Sequence, residues 1–146
     1  MSQTTLRAIH ARPARVFLAE DDDEMRELLC GALRQDGYEV VEARDGGEML
    51  ERVRIAYQNP DDAPDVIVMD VRMPKLSGLG LLSAIRRARW STPVILITGF
   101  GDSMLHDQAQ SLGATVVFDK PFDVDDLRTA VLNVSTVKAS PSHAAS

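Results

Sequence analysis

The segment 66–70, Val-Ile-Val-Met-Asp, is an unbroken apolar run of strand length that ends in a carboxylate and passes at once into a loop containing Pro74. A run without polar alternation suits a strand covered on both faces, as in a parallel sheet, rather than a strand with one wet side. Parallel strands need long crossovers, usually helices, so such a chain is committed to alternating strands and helices. In sheets of that kind, ligands and chemistry gather at the carboxyl ends of the strands. An earlier run, 16–19, ends in the same way, in Glu20-Asp21-Asp22-Asp23. Two neighbouring strands would then bring carboxylates to one rim of the sheet, a place suited to a hard cation and a phosphoryl group.

The rest of the chain keeps the alternation. A first helix carries Met25, Leu28, Leu29, Ala32 and Leu33 on one face, and Gly37 supplies its stop. Residues 38–42 mix polar and apolar side chains, as an edge strand does. A second helix places Met49, Leu50, Val53 and Tyr57 together, and 59–64 is a turn-rich break. A third helix uses Leu81, Leu82, Ile85 and Ala88. The strand 93–97 ends at Thr98-Gly99-Phe100-Gly101, and a weak helix over 102–112 has only Leu105, Ala109 and Leu112 in register. The last strand, 115–118, ends at Asp119-Lys120-Pro121-Phe122, before a helix with Leu127, Ala130, Val131 and Val134 inward. Five βα units with right-handed crossovers give an α/β, doubly wound, five-stranded parallel sheet with helices on both faces. Strand order 2-1-3-4-5 puts the switch point between the first and third strands, the two that end in acids. The fourth and fifth strands then add a hydroxyl, Thr98, and an ammonium, Lys120.

At 146 residues the chain holds one ordinary core. Residues 1–14 read as a flexible arm, 15–135 as the folded domain and 136–146 as a disordered tail, and a domain acting without an output domain of its own is expected. A formal net charge of −6 argues against a nucleic-acid binder, which needs a basic footprint. No apolar stretch approaches the roughly 20 residues that cross a bilayer. One cysteine, Cys30, cannot form an intrachain disulfide and points to a reducing, cytoplasmic setting; it reads as a packed or half-exposed helix residue. His10, His106 and His143 lack the spacing of metal ligands. Arg86, Arg87 and Arg89 beside Trp90 read as a solvated helix face, able to dock an acidic partner.

Each site residue alone has a plain reading. Glu20 and Asp21 fit a solvated strand end leading into an N-cap at Asp22 or Asp23, Thr98 a turn and Lys120 a surface lysine. Together, in this order and each at a strand end, Glu20-Asp21, Asp70 with Met73-Pro74 and Gly78, Thr98-Gly99, and Lys120-Pro121-Phe122 form a far more specific pattern. Over about 15–134 it resembles the receiver domain of two-component response regulators, with a flavodoxin-like sheet. The resemblance implies that Asp70 is the phosphoacceptor for a phosphoryl group delivered from phosphohistidine by a sensor histidine kinase or a histidine phosphotransfer protein. It implies Mg²⁺ held by Asp21 directly, by Glu20 through water, by Asp70 and by the backbone carbonyl of Arg72. Lys120 would neutralise phosphoryl oxygens, and the N–H groups of Val71 and Gly99 would bind them. Thr98 would read out the new group, and the Lys120–Pro121 bond would be cis. Two features depart from the family's usual pattern: the aromatic switch position is Val117, with Phe118 beside it, and bulky Arg72 and Phe100 occupy positions tied to phosphoryl lifetime.

Three functions compete on these residues. The first is a single-domain signalling switch working by protein contact or as a phosphorelay intermediate, with an unidentified downstream protein and a possible phosphorylation-linked dimer through the fourth helix, last strand and fifth helix. The second is an aspartyl-phosphate phosphatase of the dehalogenase type. Those enzymes carry a second aspartate two residues after the nucleophile, where this chain has Arg72, so turnover of a separate substrate is not expected. The third is a phosphorylation-independent scaffold, disfavoured because every site residue is present.

Overall fold

The computed structural model describes residues 12–99 and 103–139. The strands are β1 (Arg15–Ala19), β2 (Glu39–Ala43), β3 (Val66–Asp70), β4 (Val94–Thr98) and β5 (Val116–Asp119). The helices are α1 (Asp23–Gln35), α2 (Gly46–Gln58), α3 (Gly78–Arg87), α4 (Ser103–Ser111) and α5 (Val124–Ala139), with a 3₁₀ turn at Pro60–Asp62. All strand pairs are parallel, in the order β2-β1-β3-β4-β5, as expected from the strand-helix alternation and the resemblance. The three central strands β1, β3 and β4 are buried along their whole length, which explains their unbroken apolar sequences.

Alternation along each strand divides the core into two layers. Phe17, Ile67, Met69, Val94 and Leu96 pack under α2, α3 and α4. Val16, Leu18, Val66, Val68, Ile95 and Ile97 pack against Leu29 and Leu33 of α1 and Leu127 and Val131 of α5. Helix starts are capped by side chains that satisfy otherwise orphaned N–H groups: Asp22 accepts from Glu24 N–H at 3.2 Å, Asp45 from Glu48 N–H at 2.8 Å, and Ser77 from Gly80 N–H at 3.1 Å. Asp22 is thus the cap of α1. Gly37, at φ +98°, takes the left-handed conformation that ends it.

Several readings from periodicity shift in the structure. Leu28 is 54% exposed and Cys30 is buried in its place, so the inward stripe of α1 is rotated toward 29, 30 and 33. Burial in apolar surroundings pushes the Cys30 thiol up to about 12. In α2, Ala56 turns inward and Tyr57 is 55% exposed. Ala88 is the exposed C-cap of α3, not a core residue. Arg86 is not a solvated side chain: it donates to the carbonyls of Trp90, Thr92 and Gly113 at 2.7–3.2 Å, and burial lowers its pKa. α5 runs on to Ala139, four residues into the segment read as a tail. Residues 1–11 of the arm, 140–146 of the tail, His10, Phe100 and His143 lie outside the described residues. Among those described, no helix is long and apolar enough to cross a membrane.

Candidate functional site

The register of β1 on β3 pairs Ala19 with Met69, so the next residues, Glu20 and Asp70, emerge side by side at the carboxyl rim. β4 pairs Ile97 with Asp70, and β5 pairs Asp119 with Thr98, which delivers Thr98 and Lys120 to the same rim. Carboxylate oxygens of Glu20, Asp21 and Asp70 all lie within 4.8 Å of one another. Lys120 Nζ reaches 3.2 Å from both Glu20 Oε1 and Asp70 Oδ1. The Glu20 and Asp70 side chains are 1% and 5% exposed, whereas Asp21 faces solvent. Three carboxyl groups thus face one ammonium, with two of the three, Glu20 and Asp70, buried.

That excess sets the electrostatics. Burial pushes Asp70 up to about 8, reinforced by a hydrogen bond to Glu20 and by its charge, and Lys120 opposes the rise only in part. For Glu20, burial pushes upward, but the Asp70 hydrogen bond, the Asp22 N–H at 3.1 Å and Lys120 outweigh it and hold the carboxyl below its ordinary range. Asp21 is raised by burial and by Glu20. Burial works against the charged form of Lys120, yet the carboxylates of Asp70 and Glu20 outweigh it and raise the pKa. A cluster with an excess of anionic oxygen donors, and no sulfur or imidazole among them, fits a hard divalent cation with oxygen preference. These three acidic side chains could hold such an ion.

Thr98 is buried at the end of β4, and its carbonyl accepts the Lys120 N–H at 2.7 Å, tying the hydroxyl-bearing and lysine-bearing strand ends together. The Lys120–Pro121 bond is cis. Outside the acids, a solvent-open depression of about 470 Å³ runs between Asp21 and the loop residues Arg72, Met73 and Pro74, giving access to the rim. Arg72 projects into solvent on that loop.

The Val71 N–H, expected to face a phosphoryl oxygen, instead donates to the Ile97 carbonyl at 2.8 Å, extending the β3–β4 pairing by one residue. An added Cβ at Gly99 would meet nothing within 4 Å, so the strand end is open there. In the switch region, Val117 packs on the α4 side of the sheet. Phe118 points to the other side and stacks on Phe122, with ring centroids 5.7 Å apart. Phe118 therefore cannot stand in for an aromatic at position 117.

Two features escaped the sequence. His106 Nε2 lies 2.8 Å from Asp119 Oδ1, clasping α4 to the residue before Lys120. The loop after Asp70 is also held by the start of α2. The Gly46 N–H donates to the Pro74 carbonyl at 3.2 Å, and Lys75 lies 3.6 Å from Asp45. A Cβ on Gly46 would collide with the Leu76 carbonyl, and one on Gly78 with the Asp70 carbonyl. The Gly46-Gly47 pair after Asp45 was the only sign of this in the sequence.

Residues 16–132 match the family model of the response regulator receiver domain. The chain is 36% identical over 132 residues to the transcriptional regulatory protein PdtaR of Mycobacterium tuberculosis, covering 90% of this chain and 61% of that protein. It therefore spans less than two thirds of that relative. Sporulation initiation phosphotransferase F of Bacillus subtilis is 26% identical, covering 86% of this chain and 97% of that one. The solved response regulator receiver domain protein from Clostridium thermocellum superposes with a TM-score of 0.76 at 32% identity, covering 86% of this chain and 97% of its own.

Proposed function

The chain belongs to the response regulator receiver domain family of phosphorylation-based signalling, and from that premise we propose that Asp70 accepts a phosphoryl group from a phosphohistidine. The observation that carries this reading is the cluster itself: Asp70 is buried beside Glu20 and Asp21, with Lys120 Nζ 3.2 Å from its carboxylate. A carboxylate oxygen of Asp70 attacks phosphorus, the phosphorus–nitrogen bond to the donor imidazole breaks, and the imidazole nitrogen keeps the electron pair. The product is an acyl phosphate, a mixed anhydride whose hydrolysis resets the switch.

Glu20, Asp21, Asp70 and the Arg72 carbonyl would hold Mg²⁺, Asp21 directly and Glu20 through water. Exposed Asp21 and buried, already hydrogen-bonded Glu20 support that division. When bound, the ion neutralises negative charge on the phosphoryl oxygens. Lys120 neutralises a second phosphoryl oxygen, and the Thr98 hydroxyl and Gly99 N–H bind a third. Thr98 then biases the loop after β4 and the α4–β5 face, on which Met104 is 78% exposed, toward a downstream protein. The domain catalyses only its own phosphorylation and dephosphorylation, in the cytoplasm.

A second reading, a relay intermediate that returns the phosphoryl group to a histidine protein, is supported by the likeness to sporulation initiation phosphotransferase F over 97% of its length. Incubation with a radiolabelled, histidine-phosphorylated donor domain and Mg²⁺ tests both. Base-labile label on the wild type and none on Asp70→Asn upholds the switch. Onward transfer to a second histidine protein selects the relay. No label on folded protein sinks both.

A further inference from the structure

Between α2 and α3, from Leu50 and Leu81 to the C-terminal ends of both helices, lies a groove of about 340 Å³ that includes none of the site residues. Leu50, Val53, Leu81 and Ile85 form its apolar floor. Tyr57 and Trp90 form its lip, with ring centroids 5.8 Å apart. Tyr57 leaves 55% of its surface in water, and a concave apolar site edged by exposed aromatic surface is characteristic of an interaction site.

Charge selects the occupant. The protein carries a formal net charge of −6, yet no Asp or Glu lines this groove and Arg54 stands on its wall. Arg87 and Arg89 flank the lining residue Ala88 in the chain, and Arg89 immediately precedes the lining residue Trp90. All three arginines are exposed and, among the described residues, have no acidic partner. Arg15, Arg26, Arg34, Arg44 and Arg128 each sit in an ion pair. Arg52 and Arg72, the other exposed arginines without one that line a depression, stand at depressions that Asp or Glu side chains also line. An apolar trough with the unpaired Arg54 on its wall, and exposed Arg87 and Arg89 next in the chain to its lining, complements an amphipathic helix with acidic flanks. A nucleic acid would gain nothing from the apolar floor. A second copy in a two-fold contact would set the same arginines against each other.

We propose that this groove docks an amphipathic helix of a partner protein, with its apolar stripe in the trough and Asp or Glu side chains on Arg54, Arg87 and Arg89. Trp90, the single tryptophan of the chain, reports occupancy. The experiment titrates the full chain, by Trp90 fluorescence, with a tryptophan-free synthetic helix bearing leucines at i, i+3, i+4 and i+7 and glutamates elsewhere. A matched helix carrying lysines serves as control. The expected result is a saturable shift with the acidic helix only, weakened roughly tenfold or more in Arg54→Glu/Arg87→Glu. Both arginines are exposed, and an unchanged thermal melt establishes that the double variant folds. Tyr57→Ala should weaken binding without altering charge. No shift, equal shifts from both peptides, or undiminished binding by the double variant would overturn the proposal. So would a Trp90 shift with protein concentration alone, which assigns the groove to a second copy.

Discussion

Replacing Asp70 by asparagine should stabilise the metal-free protein, although it removes a buried ion-pair partner of Lys120. Asp70 is driven from an ordinary 3.8 to about 8, first by burial and then by Glu20. The folded state therefore holds the Asp70 proton more tightly than the unfolded chain does between about pH 4 and pH 8. Through that window the unfolded state binds fewer protons, so the fold loses stability as pH rises. A gap of about four pH units at ~1.4 kcal/mol per unit sets a ceiling of ~5–6 kcal/mol. Asp70 titrates together with Glu20 under the field of Lys120, so part of that energy belongs to the neighbours. An amide cannot ionise, and Glu20 still engages Lys120 in the variant. The expected gain for Asp70→Asn is therefore ~2–4 kcal/mol at pH 8, shrinking toward zero near pH 4. Urea unfolding of both proteins in EDTA, across this pH range, measures it. Mg²⁺ at pH 8 should stabilise the wild type more than the variant. A wild type with flat stability from pH 5 to 8, or an Asp70→Asn protein that is less stable at pH 8, would refute the reasoning.

Other outcomes follow from single contacts. Gly46→Ala forces a Cβ onto the Leu76 carbonyl and should cost roughly 1–3 kcal/mol, whereas Gly31→Ala, with nothing within 4 Å in the exposed side of α1, should gain ~0.5–1 kcal/mol; paired thermal melts check the contrast. The Cys30 thiol, buried and raised to about 12, should resist a disulfide exchange reagent at pH 8 until denaturant unfolds the chain. The Arg128 hydrogen bonds hold Asp36 below its ordinary pKa. That pair stabilises the fold above the ordinary carboxylate pKa, and its contribution is lost as pH falls through the lowered value. Acid unfolding of Arg128→Ala should lack that component, as midpoint measurements below pH 5 would reveal.

Architecture was legible because β1, β3 and β4 are buried on both faces and so are written as unbroken apolar runs. The rim was legible for a related reason: once the strand order is set, the last residue of each run has only one place to go. Glu20, Asp70, Thr98 and Lys120 meet there as expected. What depended on atomic register was not legible. That Val71's N–H faces the Ile97 carbonyl follows from how β4 slides against β3, which no local pattern encodes. The His106–Asp119 clasp joins a helix to a strand across 13 positions, and the three carbonyls that hold Arg86 belong to other turns. Helix α1 misled because Leu28 and Cys30 border the same stripe, and a cysteine packs as readily as a leucine. The opposite orientation of Val117 and Phe118 could have been read from strand alternation alone.

The most direct test of the account is to locate the acyl phosphate. After acetyl phosphate and Mg²⁺, borohydride reduces an acyl-phosphorylated aspartate to homoserine, which peptide mass spectrometry assigns to one residue. Modification is expected at Asp70 alone, dependent on Mg²⁺ and abolished by Lys120→Ala with the fold intact. Modification at Asp21 or Glu20 instead, or none in protein that retains its native melt, would contradict it.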